Sequence, residues 1–299
     1  MKRLRVPAAV LGLVALGTAG YALAASASVS LTADGPQPEN VTVNWGDSVV
    51  YSNSDSAEHA IRIPRLEVTT PSIPPGGTFE QVYDGRGGNY NFVQVGKRNH
   101  AGQVVVKVEG DVTLKSSAAE VQFGKSVTLS GKSAYPGHPV IVRGRDAGAG
   151  GEWKPVLQVN ASADGSYAGR VRPKVGARYQ ARAAADQLAS KLVDVAVRPS
   201  VTIAVSRRVA PAGSKVTVTG RILPGGAVDR ADLLGYDTRR KRWVTLDTRP
   251  VAKNGKVAFR VTVEEGPTRL RIGFRRGSTS AGYTPSESRF VRVLGTKKT

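Results

Sequence analysis

Asn40-Val41-Thr42-Val43-Asn44-Trp45-Gly46-Asp47 alternates polar and apolar residues and then runs into a Gly-Asp turn, and this unit sets the pattern for the chain. Tyr51-Ser52-Asn53-Ser54-Asp55 follows, ahead of His59. Tyr90-Asn91-Phe92-Val93-Gln94 alternates again, and His100-Ala101-Gly102-Gln103-Val104 closes the region. Period-two alternation bounded by turn residues marks half-buried strands. After residue 30 no long apolar stripe recurs at helical spacing, while 34 glycines and 17 prolines punctuate the chain. The expected fold class is therefore all-β.

At 299 residues the chain has room for two or three domains. Residues 1–27 read as a signal peptide. Lys2, Arg3 and Arg5 precede an apolar run from Val6 to Ala24, and Ala22-Leu23-Ala24 or Ala25-Ser26-Ala27 offers a small-residue cleavage site. The run approaches the roughly 20 residues that span a bilayer, so membrane attachment is expected only if the segment stays uncleaved. The chain has no cysteine, so each exported domain must hold by its core without disulfides.

Residues 28–110 are expected to form the first domain, 111–199 the second and 200–299 the third with a short tail. The last two are an internal repeat. Gly124-Lys125-Ser126-Val127-Thr128-Leu129-Ser130-Gly131-Lys132 recurs as Gly213-Ser214-Lys215-Val216-Thr217-Val218-Thr219-Gly220-Arg221. Trp153 recurs as Trp243, Gly165 as Gly255, and Ser190-Lys191-Leu192-Val193-Asp194-Val195 as Ser288-Arg289-Phe290-Val291-Arg292-Val293. Each repeat resembles the tandem immunoglobulin-like modules of exported bacterial proteins, which implies two β-sandwiches. Alternation places both tryptophans inward. His138 lies in the turn Tyr135-Pro136-Gly137-His138-Pro139, the setting of a solvated histidine.

Residues 36–108 resemble the cupredoxins, the blue-copper domains, which implies a Greek-key sandwich or barrel. Pro38, the strand Val41 to Val43, Gly46-Asp47, Asn53 and His59 match the lead to the first histidine ligand. Pro75-Gly76-Gly77-Thr78-Phe79 matches the middle turn, and Gly88-Asn89-Tyr90-Asn91-Phe92 the lead to the ligand strand. The resemblance places Gln94 on the cysteine position and Lys97 on the intermediate histidine. His100 falls on the methionine position, or on the second histidine if the loop is spaced differently. A blue-copper centre needs a thiolate with two imidazoles, and the only methionine is Met1. The resemblance thus implies a copper site whose ligands are lost. Lys97 is expected to replace the metal's charge by pairing with Glu58 or Asp55, so no cofactor is implied. The alternative is a non-blue copper or zinc site on His59 and His100 serving metal storage, delivery or slow redox.

The chain carries a net +20, and residues 200–299 alone hold 21 basic against 7 acidic residues, a net +14. Arg269-Leu270-Arg271-Ile272-Gly273-Phe274-Arg275-Arg276 alternates so that the apolar residues face a core and Arg269, Arg271 and Arg275 share the outer face. Arg239-Arg240-Lys241-Arg242 forms a basic loop. These residues are expected to collect anions through long-range attraction. The aromatics are expected to alternate inward, which argues against a dedicated nucleic-acid site. With three histidines and no nucleophile elbow, metalloprotease motif or phosphate-cradling loop, no catalytic constellation is present. The expected function is an exported, non-catalytic, envelope-associated or secreted binding protein. Its expected partners are anionic cell-wall or surface polymers at the third domain and a protein at the first.

Overall fold

The computed structural model describes residues 26–147, 151–275 and 282–297. The fold is all-β. Nine strands build the first sandwich: β1 (Ser26–Thr32), β2 (Gly35–Gln37), β3 (Asn40–Asn44), β4 (Ser48–Asn53), β5 (Ile61–Ile63), β6 (Val68–Thr69), β7 (Thr78–Val82), β8 (Gly88–Gln94) and β9 (Ala101–Lys107). One sheet runs β2-β1-β4-β7 and the other β3-β9-β8-β5-β6, with β1 parallel to β4 and β3 parallel to β9. Alternation sends Val29, Leu31, Val49 and Tyr51 inward against Ile61, Ile63, Tyr90, Phe92, Val104 and Val106. Strand β1 begins inside the 1–27 segment, since Ser26 and Ala27 already pair with Ser48 and Val49. Residues 1–25 of that segment lie outside the described residues.

The second sandwich comprises β10 (Lys115–Ser116), β11 (Glu120–Gln122), β12 (Val127–Lys132), β13 (Pro139–Asp146), β14 (Lys154–Asn160), β15 (Ser166–Val171), β16 (Ala177–Ala183), β17 (Leu188–Ala189) and β18 (Val193–Arg198). The third comprises β19 (Ser200–Val205), β20 (Val209–Pro211), β21 (Lys215–Leu223), β22 (Arg230–Asp237), β23 (Arg242–Pro250), β24 (Lys256–Thr262), β25 (Gly266–Phe274), β26 (Ser286–Glu287) and β27 (Val291–Thr296). Their sheet orders correspond strand for strand. β10-β12-β15 matches β19-β21-β24, and β11-β18-β16-β13-β14 matches β20-β27-β25-β22-β23. The repeated turn glycines Gly165 and Gly255 both hold positive φ, 78° and 81°. A Cβ would meet Ser133 O at 2.5 Å or Ile222 O at 2.0 Å, so the backbone approach itself requires glycine at both places.

Two expectations about packing are overturned. Trp153 and Trp243 join neither buried cluster. In each repeat a β-bulge gives β14 or β23 one extra residue. Leu157 and Pro155 face Val142 and Arg143, and Asp247 and Thr245 face Leu233 and Leu234. One extra residue reverses the face of everything on its far side, and both tryptophans lie there. His138 is not a freely solvated turn residue either, because its ring meets Trp45 edge-on at 4.7 Å.

The sandwiches are joined by more than the chain. Tyr135 and Ala184 belong to the first sandwich's buried cluster, and Trp45 packs on Tyr135 at 4.9 Å. Glu109 N–H donates to Tyr135 Oη, and Gly87 N–H to Gln187 Oε1, both at 2.9 Å. Between the second and third, Gly176 N–H donates to Gly282 O at 2.8 Å and Thr284 N–H to Val197 O at 3.1 Å.

Candidate functional site

The end of the first sandwich holds His59, Gln94 and His100. Strand pairing sets Gln94 opposite Ile61, two residues beyond His59, so both side chains point inward at one end. Both are buried. His59 Nε2 lies 2.9 Å from Asp55 Oδ2, within a loop anchored by Asn53, whose Oδ1 accepts from Asp55 N–H. His100 Nδ1 lies 2.7 Å from Gln94 Oε1. No hydrogen bond joins the two pairs among the described residues. Gln94 Nε2 is buried with no partner.

The Lys97 side chain joins neither of these pairs. Its backbone shapes the turn, accepting from His100 N–H at 3.0 Å and donating to Gln94 O at 3.1 Å. Its side chain is exposed, and the expected pairing with Glu58 or Asp55 does not occur. Asp55 is taken by His59, and Glu58 accepts from Ser72 Oγ at 2.7 Å. A side chain in a tight turn beyond the strand points to water, where an ammonium keeps its hydration.

On the third sandwich the outer face of the six-stranded sheet, β20-β27-β25-β22-β23 with β26 beside β25, carries a row across four strands. Arg292 on β27 faces Arg269 on β25, and Tyr236 on β22 faces Trp243 on β23. Arg269 lies 5.6 Å from the ring centres of both Tyr236 and Phe290, and Arg292 lies 5.9 Å from that of Phe290. Arg271 covers Trp243 at 4.1 Å and pairs with Glu287 at 2.7 Å. Each exposed cation–π contact contributes about 0.5 to 1 kcal/mol. Arg275 pairs with Asp232 at 3.5 Å and donates to Thr245 Oγ1 at 3.0 Å.

In the basic loop Asp237 Oδ1 accepts from the backbone N–H groups of Arg239 and Arg240, and Asp237 Oδ2 lies 3.8 Å from Arg240 Nε. Lys241 takes a left-handed φ of 51°, which lets the loop return into Arg242. Of the seven basic residues expected to collect anions, Arg240, Arg271 and Arg275 have carboxylate partners. Arg239, Lys241, Arg242 and Arg269 have none among the described residues. Leu270, Ile272 and Phe274 are buried as expected, but Tyr236, Trp243 and Phe290 lie outside among the arginines. The expected inward alternation of all aromatics fails: the bulge in β23 turns Trp243 outward, Tyr236 follows the outer parity of β22, and Phe290 lies just ahead of β27. Arg292 escaped the sequence reading. Its alignment with Asp194 was the available signal, because it puts a cation where the other repeat has an anion.

No protein-family model matches the chain, and no curated protein matches it. Among solved structures, a purple cupredoxin from Nitrosopumilus maritimus is 22% identical, covering 27% of this chain and 99% of its own, with a TM-score of 0.25. A reduced copper(I) form of amicyanin is 18% identical, covering 27% of this chain and 82% of its own, with a TM-score of 0.26. A reduced amicyanin variant altered at a tryptophan is 19% identical, covering 29% of this chain and 86% of its own, with a TM-score of 0.25. These matches span little more than a quarter of the chain. What the first sandwich can hold depends on its own donors.

Those donors do not fit a blue-copper ion. The chain has no cysteine to supply a thiolate, Gln94 Oε1 is engaged by His100 Nδ1, and His59 Nε2 by Asp55. Among the described residues no group of three or more His, Asp or Glu is placed to hold a metal. Equilibrium dialysis of the full chain against micromolar Cu(II) or Zn(II) is expected to find no stoichiometric metal. Retention that disappears in His59→Ala and His100→Ala would overturn this.

The Asp55 carboxyl sits below its ordinary value of 3.8, chiefly because it bonds the His59 ring and secondarily because Ser56 N–H donates to it. A depressed carboxyl stabilises the fold fully above its unfolded value and loses that contribution as pH falls through its folded value. Asp164, bonded by Ser166, and Asp237, bonded by Arg240 N–H, shift in the same direction. Stability should therefore decline as pH drops below the ordinary carboxylate range. Urea titrations across that range should show a shallower acid decline for Asp55→Asn. An unchanged acid slope would remove Asp55 from the account.

Proposed function

We propose that this chain is an exported, non-catalytic binding protein that attaches to anionic surface polymers through its third sandwich. The observation that carries the reading is the outer face of the β20-β27-β25-β22-β23 sheet, where Arg269 and Arg292 lie by the rings of Tyr236 and Phe290 without carboxylate partners among the described residues. Arg239, Lys241 and Arg242, which have no carboxylate partner among the described residues, add to the same domain's charge. A guanidinium over a ring keeps its charge, and its fork of N–H donors suits carboxylate or phosphate oxygens. The two sandwiches ahead of it serve as a cupredoxin-like module without its metal and an immunoglobulin-like module that spaces it from the binding face. Processing after Ala24 leaves β1 whole, whereas processing after Ala27 removes two of its paired residues.

Co-sedimentation of the full chain with purified cell-wall polymer tests the reading. Retention is expected at low salt and release as salt rises. Absent or salt-insensitive retention overturns it, as does competition by single-stranded DNA far better than by the wall polymer at equal charge.

A further inference from the structure

The internal repeat supplies a comparison within one molecule. In the second sandwich Gly144 pairs with Tyr179, and in the third Gly235 pairs with Leu270, so Arg178 and Arg269 occupy equivalent places. Across the next strand pair Arg178 faces Asp194, and Arg269 faces Arg292. Leu192 and Phe290, two residues before these partners, correspond as well, and both are exposed.

In the second sandwich the pair is a two-pronged ion pair. Arg178 Nε lies 2.7 Å from Asp194 Oδ1, and Nη2 lies 3.2 Å from Oδ2. In the third, the carboxylate is replaced by a second guanidinium. Neither Arg269 nor Arg292 has a carboxylate partner among the described residues, and both lie over the Phe290 ring. Like charges directly opposite on neighbouring strands are destabilising. Phe290 provides an apolar floor, and Tyr236 closes the side toward β22.

We propose that Arg269 and Arg292 form an anion clamp, in which an oxyanion from outside takes the place that the Asp194 carboxylate fills in the second sandwich. The ligand class is a carboxylate or phosphate monoanion, and two guanidinium forks can grip its oxygens from both sides. The clamp deepens the attachment reading, which it relies on only for the identity of the polymer that carries the anion.

Calorimetric unfolding of the full chain in dilute chloride buffer, with and without inorganic phosphate or acetate at matched ionic strength, tests the clamp. Phosphate should raise the third sandwich's transition by several degrees, because a ligand that binds only the folded state stabilises it by mass action. Arg292→Asp, which rebuilds the pair seen in the second sandwich, should raise the transition without phosphate by about 2 to 5 °C and abolish the response. Arg292→Gln should remove the response with a smaller gain. A phosphate response that survives in both variants, or an Arg292→Asp variant no more stable than the parent in chloride, overturns the clamp. Glycerol phosphate and galacturonate then separate phosphate-bearing from carboxylate-bearing polymers. No phosphate response in the parent, with wall retention equal in parent and Arg292→Asp, defeats the clamp and leaves attachment standing. A phosphate response without wall retention does the reverse.

Discussion

Trp45→Ala should destabilise the first sandwich by about 3 to 5 kcal/mol, the range for truncating a buried aromatic. Trp45 is only 4% exposed, at the end of β3 where the chain turns through Gly46 and Asp47. Its Nε1–H donates to Gly85 O at 2.6 Å, and its ring meets Tyr135 at 4.9 Å and His138 at 4.7 Å. Alanine therefore opens a cavity, strips the Gly85 carbonyl of its donor, and removes the ring that holds the second sandwich's turn. Gly46 shows how close that turn sits, since a Cβ there would come within 2.6 Å of His138 Nε2. Calorimetry should show the first transition lowered by more than 10 °C, at roughly 4 to 8 °C per kcal/mol for a domain of this size. It should also separate from the second. Trp45→Phe should recover part of the packing and none of the indole hydrogen bond. A loss below about 1 kcal/mol in Trp45→Ala would mean the joint is not built on this ring.

The second large effect is the salt dependence of attachment. If about four basic groups each displace a counterion from a densely charged polymer, log affinity falls against log salt with a slope near −3 to −4. Raising salt from about 50 to 200 mM then weakens binding by roughly a hundredfold, and by less on a sparser polymer. Arg269→Gln combined with Arg242→Gln should flatten the slope by about two, while Arg275→Gln should change it little because Arg275 is paired with Asp232. Slopes measured by sedimentation at several salt concentrations decide this. A slope unchanged by Arg269→Gln and Arg242→Gln would place the contact elsewhere.

Much of the fold was legible because its signals are local. The alternation in β25 gave Leu270, Ile272 and Phe274 to the core, and the paired motifs around Gly131 and Gly220 announced two sandwiches whose sheets have the same order. Strand parity is read residue by residue, so it is reliable until an irregularity intervenes. The bulges opposite Val142/Arg143 and Leu233/Leu234 are such irregularities, and both tryptophans were therefore given to the wrong face. At the first sandwich's end, Gln94 and His59 were legible only as residues on the positions that the resemblance gives to metal ligands. That Asp55 would be taken by His59 rather than by Lys97 was not, because loop direction is settled by which backbone groups the turn must bond.

The sequence by itself determined the all-β class, the internal repeat, the absence of cysteine and the concentration of positive charge in the last hundred residues. These follow from composition and short-range periodicity. Only the tertiary structure decided which charges are neutralised, that Arg292 confronts Arg269, and that Trp45 and His138 meet across a domain boundary. Strand register and interdomain packing join residues distant in the chain, and the free energy of such a pairing depends on the whole sheet that carries it.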